Sequence, residues 1–307
     1  MRIAFLGTPE FAVPSLDALY KEGFEIAVFT APDKPVGRHA VLTPPPVKAR
    51  ALELGLPVYQ FERIRRSAGL AALREFAPDF MVTAAFGQLL SQANLDIPKY
   101  GTVNVHGSLL PKYRGASPIQ SAVIAGERLT GITTMLTDLG MDTGAMLLKA
   151  ETEIGENETA GELSARLSFI GAELLIETLQ LLRDGSLQST PQDNDTATLC
   201  RPLQKEDGKL HFARPAREVH NRVRGVTPWP GAYALLDGLT LKIWATRCVN
   251  IPEAGQPGLL KGDPKIGLFV QCADALLEIT ELQAQGGRRM DAKSFLRGRP
   301  IAGNVLE

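Results

Sequence analysis

Cysteine is scarce. The 307 residues hold 3, Cys200, Cys248 and Cys272, an odd and dispersed trio that fits neither a disulfide framework nor a zinc ribbon. They read as reduced thiols of a cytoplasmic protein. Histidine is almost as sparse: His39, His106, His211 and His220 fall in separate segments without ligand spacing, so no metal is expected. No apolar run approaches the length of a membrane span. The amino end, MRIAFLGTPEF, has too short an apolar stretch for a secretory signal and lacks the Arg- and Ser-rich character of a transit peptide. No repeat recurs at a spacing of about 20 to 50 residues. The first turn, Gly7-Thr8-Pro9-Glu10, is not G-x-G-x-x-G, and Pro9 is a poor substitute for a phosphate-cradling glycine, which argues against a nicotinamide oxidoreductase.

What is present is an ordinary globular balance, 44% hydrophobic and 22% charged, in a chain long enough for two domains. The charge is unevenly placed. Residues 201–307 carry 16 of the 33 Lys+Arg and 11 of the 34 Asp+Glu, a net of +5 against −6 for residues 1–200. A basic C-terminal third suits a polyanion partner, although a solvated surface explains an excess of this size equally well.

Short β-rich runs alternate with helical patterns from the start: Arg2 to Leu6, Pro14 to Glu22, Glu25 to Thr30, and Val47 to Leu54 closed by Gly55. This rhythm predicts a parallel sheet wrapped by helices. Asp79 to Ala85, Gly101 to Val105 and Gly131 to Thr137 supply further strands, with a helix at Pro118 to Ala125. The clearest helix opens at Thr159, where Glu162 completes a capping box, and ends near Gly185, with Leu163, Leu167, Ile170 and Leu174 along one face. A polar stretch from Leu187 to Ala197 reads as a connector. Beyond it, Leu239, Leu241, Ile243 and Ala245 alternate with polar or amphipathic neighbours after an Asp237-Gly238 turn, and Gly258, Gly262 and Gly267 punctuate more short strands. A small β-barrel follows. The expected boundaries are a first domain over 1–187, a linker over 188–203 and a second domain over 204–307.

The most informative stretch is VNVHGSLLPKYRGASPIQ, Val103 to Gln120. A strand here delivers Asn104 and His106, two residues apart and on one side, to the carboxyl end of the sheet, where open α/β folds bind ligands. Asp142, in DLGMDTG, follows another strand and is placed to meet the imidazole. With no well-placed Ser or Cys nucleophile in the cluster, these residue types suit acyl transfer to a nucleophile that the substrate brings. The Asn104 amide and a protonated His106 would steady the oxyanion, an effect of ~3 kcal/mol per donor. Asp142 would hold the imidazole, raise its pKa, and through a water collect the amine proton. Spacing alone allows a plainer reading, in which Asn104 caps a turn and His106 is a satisfied buried histidine.

The run HGSLLPKYRGASPIQ, with Asn104, Gly131-Ile132-Thr133 and Asp142-Thr143-Gly144, closely resembles the folate-dependent formyltransferases, in which an Asn-His-Asp set is the active centre. The likeness to the tRNA-acting members of that family runs almost end to end: FLGTPEFAVPSL, PDKPVGR at Pro32 to Arg38, QKEDGKLHF at Gln204 to Phe212, NRVRGVTPWPGA at Asn221 to Ala232, and FLRGRP at Phe295 to Pro300. The resemblance implies an α/β chain with a Rossmann-like catalytic domain followed by an OB-like β-barrel that helps grip tRNA. It implies 10-formyltetrahydrofolate as co-substrate, lying along Phe86, Gly87, Gln88, Leu89 and Leu90 and along Ser108, Leu109, Leu110 and Pro111, with no metal. The acceptor would be the α-amine of a methionyl-initiator tRNA, and the chain a cytoplasmic monomer.

The loop from Ala31 to Lys48 is long and proline-dense, which marks it as functional. By the resemblance it enters the acceptor end of the tRNA, with Arg38 as its key arginine. Where many relatives carry lysines, His39, Ala40, Val41 and Leu42 follow, so phosphate attraction there is expected to be weaker. Arg288, Arg289, Lys293, Arg297 and Arg299, with Arg214, Arg217, Arg222 and Arg224 in a second cluster, form the other expected tRNA surface, and its affinity should fall steeply with salt. Trp229, between Pro228 and Pro230, reads as a core anchor more than a stacking platform. The remaining alternatives are formyl transfer to an amino sugar or to glycinamide ribonucleotide, a folate hydrolase, and a non-catalytic tRNA-binding protein.

Overall fold

The computed structural model describes residues 1–37, 40–299, 301 and 303–307, without the Asn250 side chain. In chain order the main elements of the first part are β1 (Arg2–Gly7), α1 (Val13–Lys21), β2 (Glu25–Thr30), α2 (Pro46–Glu53), β3 (Val58–Gln60), α3 (Ser67–Phe76), β4 (Phe80–Ala84), β5 (Thr102–His106), α4 (Pro118–Ala125), β6 (Leu129–Leu136), β7 (Met146–Glu153) and α5 (Ala160–Arg183). Seven strands form one sheet in the order β7-β6-β5-β4-β1-β2-β3. The run from β3 to β5 is parallel, and β6 joins β5 antiparallel. The two directions of winding diverge between β1 and β4, a switch point whose carboxyl end opens a ligand crevice in folds of this kind.

The β1 and β4 sequences lack polar alternation because both faces are covered: Ile3, Ala4, Phe5 and Leu6 are fully buried, as are Phe80, Met81 and Val82. Prolines pre-set the first turns of α1, α2 and α4, where a missing N–H costs nothing. The capping box forms as expected: the Thr159 hydroxyl accepts from Glu162 N at 3.2 Å and the Glu162 carboxylate accepts from Thr159 N at 2.8 Å. Gly185, at φ +69°, stands beyond the end of α5, where a left-handed residue stops a helix.

Two compact units emerge. The first gathers Met1–Gly115, Thr130–Thr152 and Ser164–Leu199; the second gathers Ala116–Leu129, Glu153–Leu163 and Cys200–Glu307. In the second, α6 (Ala216–Gly225) precedes β8 (Ala232–Leu236), β9 (Leu239–Pro252), β10 (Leu260–Asp263), β11 (Gly267–Gln271), β12 (Ala275–Ala284) and α7 (Ala292–Gly298). The strands pair in the order β8-β9-β12-β11-β10. The chain end closes the ring, since Leu306 bridges to Leu236 beside β8 while Val305 bridges to Leu259 beside β10. This is the expected small barrel. Leu241, Ile243, Leu268, Val270, Leu277, Ile279 and Leu282 fill it, and Val219 and Val223 of α6 join the same core.

The Asp237-Gly238 turn has both residues at positive φ, 52° and 76°, the conformation that matches strand twist in a two-residue hairpin. The alternation along β9 departs from expectation. A register shift between Ile243 and Ala245 moves Thr246 to the buried side and leaves Ala245 half-buried, while Leu239 at the turn is exposed. In the first unit the long proline-rich loop folds into a hairpin, Lys34–Val36 paired with Val41–Thr43, whose Val36, Val41 and Leu42 side chains are exposed. Arg38, the arginine expected to meet tRNA, and His39 lie outside the described residues.

Candidate active site

Strand β5 carries Asn104 and His106 to the carboxyl end of the sheet, and the loop between β6 and β7 brings Asp142 against them. His106 is buried, with Nδ1 3.7 Å from Asp142 Oδ1. Asn104 Nδ2 reaches the same carboxylate oxygen at 3.5 Å, a long contact. The three side chains picked from sequence therefore converge.

Several partners fix the geometry. Thr83 is the ladder neighbour of Asn104, and its hydroxyl donates to Asn104 Oδ1 at 2.9 Å, which turns the amide N–H groups toward Asp142. His106 Nε2 lies 3.0 Å from the Tyr113 carbonyl. A carbonyl only accepts, so Nε2 carries a proton, and the neutral ring then has its lone pair at Nδ1, on the Asp142 side. Burial pushes the imidazole below its ordinary value; Asp142 and the Tyr113 carbonyl push the other way but less. The protonated His106 expected from sequence is thus corrected to a neutral imidazole with a basic nitrogen facing the carboxylate. Asp142 does oppose the fall as anticipated, but desolvation wins.

The Asp142 loop is held under constraint. Asp142 sits at φ +53°, in the left-handed region, and Gly115 N donates to its Oδ2 at 2.8 Å. A Cβ at Gly144 would lie 1.7 Å from the Leu136 carbonyl oxygen, so only glycine fits there. Thr143 Oγ1 donates to the Asp138 carboxylate, and Gly140 N donates to it as well, closing the loop on itself.

The segments expected to hold folate flank this cluster in sequence. Thr8 Oγ1, just past β1, donates to the Phe86 carbonyl, just past β4, so the two strand ends are tied across the switch point. Phe86 is buried in the core with Ala4, Leu6 and Phe29, and Leu90 packs on the same cluster. Gln88 accepts from Ile64 N and donates to the Phe61 carbonyl. Ser108 donates to the Lys112 carbonyl, and Thr133 Oγ1 bridges Ser108 O and Leu110 N. Leu110 is fully buried, whereas Leu89 is 71% exposed. Most side chains of the two segments brace the loops, while Gly87 and Leu89 are exposed and Leu109 and Pro111 half-buried.

Sequence reading missed Thr83, Tyr113 and Gly115. Thr83 was findable as the residue facing Asn104 in an adjacent strand, had the register been known. Backbone partners such as Tyr113 and Gly115 leave no residue-type signal.

Of the basic residues in the second unit, Arg288 and Lys293 are exposed and make no ion pair among the described residues, and Arg297 is exposed with a bond to Ser294 Oγ. Arg289 pairs with Glu281 and lies 5.1 Å over the Trp244 ring; Arg299 pairs with Asp237. Arg222 is half-buried. Arg224 is corrected: it is buried, its guanidinium donates to Asn221 Oδ1 and to the carbonyls of Gly155 and Glu158, and it serves the fold. Trp229 is corrected in the opposite sense. It is 56% exposed, because the flanking prolines carry it across a surface turn and away from the core.

A Rossmann-like sheet that presents an Asn-His-Asp cluster at its carboxyl end, followed by a closed β-barrel, defines the class of two-domain formyl-group transferases. Residues 1–179 match the Formyl transferase family and residues 202–300 the Formyl transferase, C-terminal domain, family. The chain belongs to this family. It is 49% identical to the methionyl-tRNA formyltransferase of Pelobacter propionicus, over 99% of this chain and 95% of that one. The enzyme of that name from Acetivibrio thermocellus is 47% identical over 100% of this chain and 99% of its own. Among solved structures, a sugar 3N-formyl transferase in the presence of dTDP and 5-N-formyl-THF superposes with a TM-score of 0.68 at 20% identity, covering 93% of this chain and 97% of that one, a likeness of fold.

Proposed function

We propose that this chain transfers the formyl group of 10-formyltetrahydrofolate to the α-amine of methionyl-initiator tRNA. The observation that carries the reading is the meeting of the Asn104 amide, the His106 ring and the Asp142 carboxylate at one strand end, in a chain whose full-length relatives are named for that activity. An α-amine titrates near ~8 and is partly free at neutral pH; esterification removes the neighbouring carboxylate and lowers that value further. Such an amine attacks the formyl carbon without a covalent enzyme intermediate.

As the C–N bond forms, the carbonyl oxygen gains negative charge, and Asn104 Nδ2–H is oriented by Thr83 to donate to it. The amine nitrogen becomes cationic and must lose a proton. Nδ1 of neutral His106 accepts it, and Asp142 stabilises the imidazolium so formed. Collapse of the tetrahedral centre breaks the bond to N10 of the folate, which takes the proton and leaves. Folate lies along Phe86 to Leu90 and Ser108 to Pro111. The tRNA is met by Arg38, Arg222, Arg288, Arg289, Lys293, Arg297 and Arg299, of which Arg288, Lys293 and Arg297 present the most open charge. The enzyme acts as a cytoplasmic monomer; no described helix is long and apolar enough to cross a membrane.

A formylation assay with 10-formyltetrahydrofolate and charged initiator tRNA, charged elongator tRNA, free methionine and an amino-sugar nucleotide tests this. Turnover is expected with the initiator alone at high efficiency. Preference for the sugar nucleotide, or full activity of His106→Ala, would overturn it.

A further inference from the structure

We propose that Gln192, in the polar connector after α5, is a positioning residue that sets the conformation of the Asp142 loop for formyl transfer. The inference deepens the proposed function and rests on Asp142 acting in it. Both N–H groups of the Gln192 amide are used: Nε2 donates to the Asp142 carbonyl and to the Gly144 carbonyl, each at 2.8 Å. The amide cannot turn over, because Oε1 accepts from Arg114 Nε at 2.9 Å. Arg114 is itself buried, and its NH2 group donates to Asn194 Oδ1 at 2.9 Å. The residue after Arg114 closes a ring, since Gly115 N holds the Asp142 carboxylate that Gln192 holds by the main chain.

The arrangement is specific to glutamine. One side must donate twice and the other must accept, a pattern that glutamate cannot supply and that a hydrocarbon of the same length leaves unmade. The held residue is left-handed at φ +53°, a conformation that a non-glycine residue keeps when its surroundings impose it. Loss of the clamp would let Asp142 relax and shift its carboxylate away from His106 and Asn104. Asp142 is the titratable group facing the His106 ring, whose other nitrogen meets the Tyr113 carbonyl.

The test compares Gln192→Glu, Gln192→Met, Asp193→Ala and Asp142→Asn in the full chain, with kcat, KM for both substrates and the pH profile of kcat. Asp193 caps the neighbouring turn through a bond to Asp195 N and makes no side-chain hydrogen bond to Asn104, His106 or Asp142 among the described residues, so its variant controls for damage to the connector. Gln192→Glu is expected to lower kcat about tenfold or more with KM changed less than about twofold, Gln192→Met to do so by less, and Asp193→Ala to match the parent. The acid limb of the kcat profile should move to lower pH in both Gln192 variants, since Asp142 raises the His106 value and a displaced carboxylate raises it less. A purely structural role would lower the thermal midpoint without moving that limb. In the Asp142→Asn background, Gln192→Glu should add no further loss. Unchanged kcat and unchanged acid limb in Gln192→Glu, with Asp142→Asn inactive, would overturn the positioning role alone. An active Asp142→Asn would remove the reading of the site on which it rests.

Discussion

Replacing Thr83 by valine isolates one hydrogen bond while leaving shape nearly unchanged. Thr83 sits in the fully buried run of β4, 8% exposed, and valine fills the same volume there. What disappears is the donor to Asn104 Oδ1. The remaining bond of that amide, 3.5 Å to Asp142, is too long to orient it. The bond that orients the amide is worth about 1–1.5 kcal/mol net, and without it the transition state must hold the donor in place itself. At about 1.4 kcal/mol per factor of ten, kcat should fall roughly 5- to 12-fold. KM for tRNA and folate should hold, because Thr83 binds neither, and Thr83→Ser should retain most of the rate. Steady-state formylation of charged initiator tRNA, alongside a thermal melt, reads all three. A Thr83→Val enzyme within about twofold of the parent in kcat, equally folded, would refute the view that a fixed Asn104 amide receives the developing charge.

Three further outcomes follow from the same geometry. Because burial depresses the His106 value and the base must be neutral, His106 should add no acid limb to the kcat pH profile above pH 6.5; a decline there comes from protonation of the substrate α-amine, and a second limb is expected only below pH 6.5. A second acid limb above pH 6.5, distinct from the amine's, would contradict a buried neutral base. Gly144→Ala forces its new carbon or the Leu136 carbonyl to move by more than about 1 Å, and a displacement of that size at a catalytic loop should cost about 10²-fold in kcat. In the second unit, Arg201 holds the Asp207 carboxyl down to about 2, against an ordinary 3.8. That pairing stabilises above pH 3.8 and is lost as pH falls toward 2; with Arg201 largely exposed, Asp207→Asn should cost about 1 kcal/mol at neutral pH in a denaturant melt and little at pH 2.

The sheet and the barrel were legible because their signals are local. Buried apolar runs mark β1, β2 and β4, a capping box marks α5, and Asp237-Gly238 marks the hairpin of β8 and β9. Apart from α3, an amphipathic helix that was passed over outright, the elements that sequence reading missed have weak local signals. Strand β3 is three residues long, and β7 runs Met-Leu-Leu-Lys-Ala-Glu-Thr-Glu along a sheet edge where one of its eight residues is buried and three are exposed. Helix α6 offers only Ala216, Val219 and Val223 as an apolar face, and it is helical because that narrow stripe packs into the barrel core.

The site divides along the same line. Strand periodicity put Asn104 and His106 on one side and a second strand led to Asp142, but the resemblance to the formyltransferases is what singled the three out; each is a residue type that declares its chemistry. Their controls do not. Thr83 is one of several threonines in buried strands, the Tyr113 carbonyl and the Gly115 amide are main-chain groups, and Gln192 stands 50 residues from Asp142 in a polar segment without periodicity. Even the charge state of His106 could not be read from its neighbours in sequence, because it depends on how completely β4, β5 and the Tyr113 turn exclude water from the ring. Residue types announce which groups can donate, accept or ionise. Which nitrogen carries the proton is decided by a carbonyl, and only the fold places that carbonyl.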